Sequence, residues 1–134
     1  MAALQPIHPD KRCPCGTGLP YGQCCRRFHV GAQAPTAETL MRSRFTAFVT
    51  RDAEYLLRTW DPRTRPEELE VGDLPFRFYR LDVLSTTGGG PLDQTGRVEF
   101  EAFYKGAATG SQREDSTFRR LADGAWVYCA GDVS

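Results

Sequence analysis

The chain has 134 residues, of which 40% are apolar and 11% aromatic, enough for one cored domain with a small appendage. Seventeen cationic side chains balance seventeen acidic ones, which excludes a general attraction to nucleic acid or anionic lipid. No stretch approaches the ~18 apolar residues of a membrane span, and Met1 to Asp10 lacks the basic start and apolar run of a secretion signal, so the expectation is a cytoplasmic protein with no membrane partner.

Four of the five cysteines fall within residues 13–25, Cys-Pro-Cys-Gly-Thr-Gly-Leu-Pro-Tyr-Gly-Gln-Cys-Cys. Disulfides are rare in the cytoplasm, and the count is odd. A bridge between the adjacent Cys24 and Cys25 would be strained. The usual redox pair has two intervening residues, which neither pair here has. The spacing C-x-C-x8-C-C instead suits four soft ligands, Cys13, Cys15, Cys24 and Cys25, converging on one ion. Gly16 and Gly18 let the chain reverse with positive φ. Cys24 and Cys25 can both ligate only where the chain turns or starts a helix. Zinc is the expected ion; iron is the alternative, since thiolates hold it too.

His29, four residues after Cys25, admits three readings: an exposed histidine at a helix end, a donor to a cysteine sulfur, or a ligand in place of one cysteine. Residues 1–35 show no apolar periodicity and cannot core themselves, so metal binding would supply their folding free energy. Their four cationic side chains stand against Asp10 alone. Four thiolates on a dication would offset part of that excess, leaving a mildly basic knuckle rather than a nucleic-acid finger.

Gly31 to Pro35 reads as a linker. Thr36 is placed as a helix N-cap with Glu38 in the first turn, and Leu40, Met41, Phe45, Phe48 and Val49 recur at helical spacing with one face buried. A second helix starts near Asp52, carries Tyr55, Leu56 and Leu57, and stops by Asp61-Pro62; Trp60 is expected to anchor the core. Residues 61–75, with Pro62, Pro66 and Pro75, read as loop. From Arg77 the period changes to two. Tyr79, Leu81 and Val83 are expected on one face of a strand, with Phe78 and Leu84 on the other. Residues 85–93 are expected to form a mobile loop. Val98, Phe100, Ala102 and Tyr104 share a face of the next strand, with Arg97, Glu99, Glu101 and Lys105 opposite. Glu114, Ser116 and Phe118 share a face of the third. Asp123-Gly124 marks a hairpin, and Trp126 to Cys129 a last strand. Two helices followed by a meander give an α+β class, and a curved sheet wrapped on the helices as a cone would bury both.

Two resemblances sharpen this reading. The cysteine stretch resembles the SEC-C motif, the zinc knuckle known from the tail of the SecA preprotein-translocating ATPase. That resemblance implies metal ligation by Cys13, Cys15, Cys24 and Cys25, and a protein-interaction role linked to translation or export. Many SEC-C segments carry lysines between the cysteine pairs; Leu19 to Gln23 here carries no charge. "AETLMRSRFTAFVTRDAEYLLRTWDP" (37–62), with Leu-Met-Arg-Ser-Arg-Phe at 40–45, resembles the YchJ-like bacterial proteins over nearly the whole chain. It implies a cystatin-like cone of the nuclear-transport-factor type over residues 36–134, behind a SEC-C-like knuckle and linker over 1–35; it does not imply an activity. Cones of this type frequently dimerise through the open sheet face, which leaves a homodimer open.

Both histidines, His8 and His29, lie outside the expected cone, so acid–base chemistry there would fall to other groups. Arg44, on the apolar face of the first long helix, and Glu114, beside Ser116 on an inward strand face, are the pocket candidates. They are expected to pair, because an unpaired buried charge is costly. Cys129 is expected to be a buried, inert thiol. No catalytic set emerges. The sequence favours a zinc-binding protein-interaction module with an unidentified protein partner, the alternative being a small-ligand binder or enzyme that uses the cone pocket.

Overall fold

Alternating apolar and polar residues after residue 75 build an antiparallel meander: β1 (Phe76–Gly88), β2 (Thr95–Gly106), β3 (Gly110–Arg120) and β4 (Trp126–Val133), in sheet order β1-β2-β3-β4. The structure, a computed structural model, describes residues 4–72 and 74–133. Ahead of the sheet come α1 (Arg26–His29), α2 (Ala37–Val49) and α3 (Ala53–Arg58). The class is α+β, a cone formed by a curved sheet packed on helices and preceded by a cysteine knuckle.

Local chemistry fixes the helix ends. The Thr36 hydroxyl accepts from the Thr39 N–H at 3.1 Å and caps α2, with Glu38 in the first turn. Asp52 caps α3 through the Tyr55 N–H at 3.0 Å. Between the two helices Arg51 takes φ 60°, the left-handed turn that ends many helices. Its guanidinium reaches the carbonyls of Val71 and Phe76 at 2.8 and 3.2 Å and so ties Val71 to the start of β1.

At about 100° per residue, Met41, Arg44, Phe45 and Phe48 of α2 fall on the side facing the sheet, and Arg42, Ser43 and Thr46 on the far side. The far side is not solvent: Ser43 and Thr46 are fully buried. The expectation of one buried face is corrected to two, the second polar one being covered by the knuckle.

Two expectations for β1 are also corrected. The strand runs on to Gly88, with Thr86 opposite Val98 and Thr87 opposite Arg97, so only residues 89–94 connect β1 to β2. Backbone pairing with a strongly formed neighbour overrides the loop-like composition of the Ser-Thr-Thr-Gly stretch. The register also slips between Phe78 and Arg80 and again between Val83 and Ser85. Each bulge shifts the alternation by one residue. Phe78, Leu81 and Val83 therefore all pack on the core, while Tyr79 and Leu84 are exposed.

Asp61, which sequence reasoning used only as a helix stop, is 1% exposed and is a hub. Arg119 of β3 grips its carboxylate with Nε and Nη2 at 2.6 and 2.9 Å. Arg63 adds its N–H at 2.9 Å and its guanidinium at 3.2 Å. The Arg119 guanidinium, before any other group, holds the Asp61 carboxyl far below the usual range.

Candidate metal centre and cone cavity

The knuckle opens at Cys13-Pro14-Cys15 and reverses through Gly16 and Gly18, at φ 91° and 88°, which only glycine adopts without strain. A 3₁₀ turn at Tyr21–Gln23 ends on Cys24, and Cys25 is the N-cap of α1. The two adjacent cysteines thus sit at the junction of two helical turns, where both side chains point inward. All four sulfurs lie within 4.8 Å of one another, and all four residues are buried. A tetrahedral ion with Zn–S bonds of about 2.3 Å needs sulfurs about 3.8 Å apart, so the donor set fits zinc without rearrangement of the chain. Cys13, Cys15, Cys24 and Cys25 would hold the ion, which would serve as a structural crosslink with every position taken by thiolate.

Four thiols this close and this buried oppose one another's ionisation. A dication inverts that logic and lets all four ionise. The Thr46 hydroxyl of α2 lies 3.7 Å from the Cys13 sulfur and the Thr17 hydroxyl 3.1 Å from that of Cys24, donors suited to thiolate charge.

His29 belongs to neither end of the range expected from sequence. It contacts no cysteine sulfur by hydrogen bond, and it is not exposed. Nε2 donates to the Ser43 carbonyl of α2 at 2.9 Å. That fixes the neutral tautomer, so Nδ1 accepts from the Tyr21 hydroxyl at 2.7 Å. The ring also rests on Tyr55, 4.6 Å between centroids, and burial lowers its pKa. Arg42 adds a bond from Nη1 to the Cys15 carbonyl at 2.6 Å. The knuckle is bolted to α2 rather than tethered.

Arg44, Glu114 and Ser116 do converge on one cavity of about 270 Å³ between α2 and the sheet. The expected Arg44–Glu114 ion pair is not formed. Nη1 of Arg44 donates instead to the Leu56 carbonyl and the Thr59 hydroxyl, both at 2.7 Å. The guanidinium stacks on Tyr128 at 4.7 Å and Trp60 at 5.4 Å. Glu114 turns to Ser116, whose hydroxyl donates to it at 2.5 Å. The Leu56 carbonyl and the Thr59 hydroxyl engage Nη1, and two rings cover the plane of the guanidinium, before the strand carboxylate can reach it. Trp60 is half-buried on the cavity wall rather than deep in the core.

Cys129 is half-buried, with its sulfur 3.5 Å from the Asp61 carboxylate. Burial first, and the carboxylate next, push its thiol up, which agrees with an inert residue. A second concavity, about 710 Å³, runs between the knuckle and β1 and is lined by Ile7, Arg12, Cys13, Pro14 and the strand from Arg77 to Asp82. Among the described residues, no backbone hydrogen bond reaches out from β1 over residues 77–82. No helix among them is long and apolar enough to cross a membrane.

The family model described as YchJ, middle NTF2-like domain, matches residues 36–131. A UPF0225 protein of Corynebacterium glutamicum is 67% identical over 92% of this chain and 98% of its own length, and one from Streptomyces coelicolor is 53% identical over 92% and 97%. The solution structure of a SEC-C motif containing protein from Rhodopseudomonas palustris aligns with a TM-score of 0.75 at 30% identity, covering 91% of this chain and 98% of that one. The crystal structure of a SEC-C motif containing protein from Psychrobacter arcticus aligns with a TM-score of 0.77 at 27% identity, covering 94% and 84%. With its cone and its cysteine knuckle on one frame, the chain belongs to the YchJ-like family, whose curated relatives carry the name UPF0225.

Proposed function

We propose that this is a zinc protein in which the four-thiolate ion clamps the N-terminal segment onto α2, and that the clamped groove receives an extended segment of a protein partner. The observation behind the first half is the convergence of four buried sulfurs within 4.8 Å. Metal content per chain, measured by mass spectrometry on protein purified without chelator, tests it. About one zinc per chain, lost or weakened in Cys24→Ser, supports the site; no metal, or metal indifferent to that substitution, refutes it.

The second half rests on the edge of β1. An exposed strand with unpaired backbone groups is a template for an added strand. Arg12, Arg77, Arg80 and Lys105 line the groove beside it, against Asp82. That balance suits an acidic segment. Binding of short acidic peptides to the zinc-loaded chain, weakened by Arg77→Glu and by salt, is the measurement. Indifference to both would remove this reading and leave the zinc site standing.

A further inference from the structure

We propose that the cavity between α2 and the sheet is a binding site for a small aromatic carboxylate, its anionic group seated on Arg44 and its ring between the phenylalanines of the wall.

Arg44 is only 7% exposed. Nη1 is committed to Leu56 and Thr59. Among the described residues, Nε and Nη2 make no hydrogen bond and no carboxylate forms an ion pair with the group. Burial lowers the guanidinium only to about 10, so it stays charged at neutral pH. Glu114 on the same cavity acts on Arg44 only through space; a buried charge without a direct partner is costly, and the unused edge of a guanidinium matches a carboxylate in bidentate fashion. Trp60, on the same wall, has a buried Nε1 donor with no partner among the described residues. With the Glu114 carboxylate bonded to Ser116, the cation and the N–H donor mark the end of the cavity suited to the occupant's anionic group.

The walls set the body of that occupant. Six of the eight phenylalanines in the chain line the cavity, and aromatic walls favour a flat ring packed edge-to-face or offset. A volume of about 270 Å³ suits a single ring with a short acidic arm. Glu114 lets a ring hydroxyl find an acceptor, so a hydroxylated acid would bind at least as well as the bare one. Pockets of this make-up, mostly apolar with few placed polar groups, are the usual form of small-molecule sites.

The test is titration of the ¹⁵N-labelled, zinc-loaded full chain with phenylacetate, 4-hydroxyphenylacetate and the uncharged 2-phenylethanol. The expected result is saturable shifts at the Trp60 indole N–H and at Phe100 and Phe118, with the two acids binding at least about tenfold more tightly than the alcohol, a difference of about 1.4 kcal/mol. Arg44→Met should reduce the acids to the level of the alcohol. If that variant fails to fold, the acid-to-alcohol ratio on the native chain still decides. No shift at the cavity with any probe, an alcohol that binds as well as the acids, or shifts confined to the β1 groove would each overturn the proposal.

Discussion

The Nε2–H of His29 donates to the Ser43 carbonyl across 2.9 Å, so one imidazole joins the metal knuckle to the helix that walls the cone cavity. Its other nitrogen holds Tyr21, whose buried ring closes the knuckle from inside. His29→Ala removes both bonds and the packing on Tyr55. The zinc site should lose about tenfold in affinity, although no ligand is touched, because two hydrogen bonds of about 0.5–1.5 kcal/mol each that order the knuckle are lost. Chelator competition measures the loss. The cobalt-substituted protein should keep the absorption of a four-sulfur site in the variant; a changed spectrum would mean that His29 ligates.

Removing the metal should reach further than the knuckle. The knuckle touches the buried face of α2 at Thr46 through Cys13 and at the Ser43 carbonyl through His29, and Cys13, Cys15, Tyr21 and Phe28 share one buried cluster with Leu40 and Phe45. A chelator should therefore lower the melting temperature of the whole chain by several degrees, and amide protection along the second half of α2 should fall with it. A cone that melts at the same temperature with and without zinc would show that the two parts are energetically separate.

Much of this was legible in the sequence, and the reason is locality. All four ligands, and the glycines that turn the chain between them, lie within 13 residues. The Thr36 cap and the Asp123-Gly124 turn are equally local. What could not be read depends on distant partners. The slips at Tyr79 and Leu84 exist only because β2 imposes its own register, and no alternation in β1 announces them. His29 was ambiguous because its acceptor lies 14 residues away. Arg44 was placed on the correct face, but its partner was misjudged. A guanidinium that close to Leu56 and Thr59 finds acceptors on the neighbouring helix before it reaches a strand. The second buried face of α2, at Ser43 and Thr46, has no apolar signature because polar groups meet it. A second helical stripe of small polar residues opposite the apolar one was the available signal.

Arg51 predicts an inverted ranking. Its φ of 60° costs a residue with a Cβ roughly 1 kcal/mol or more, yet arginine stands there because its two carbonyl bonds hold Val71 and Phe76. Arg51→Ala loses those bonds and keeps the strain, at a cost of about 2 kcal/mol. Arg51→Gly loses the same bonds but relieves the strain, so it should be the less damaging substitution. Denaturant midpoints of the two variants give the order; alanine at or above glycine would contradict the account.

Asp61 and Cys129 supply the last prediction, and its sign follows from their contact. The Asp61 carboxyl is held far below its ordinary value by Arg119. A group depressed on folding contributes stability that is full above its unfolded pKa, about 3.9, and is lost as pH falls through the folded value. Asp61→Asn should cost about 2 kcal/mol, the loss of hydrogen bonds to a charged acceptor, since the arginines left behind keep contact with solvent. The gap between the two proteins should be flat from neutral pH down to about pH 5 and narrow below about pH 4. Taking the difference cancels acid release of zinc, which both proteins share. The same substitution should act on Cys129 in the opposite sense. The carboxylate that raises this thiol is gone, and Arg119 and Arg63, which favour the thiolate, remain. In the zinc-loaded native protein Cys129 should react slowly with a thiol reagent, and chelation should add four further reactive thiols. In Asp61→Asn, at a pH where the variant is fully folded, Cys129 alone should react faster. An unchanged rate there would mean that burial, and not the carboxylate, keeps this thiol quiet.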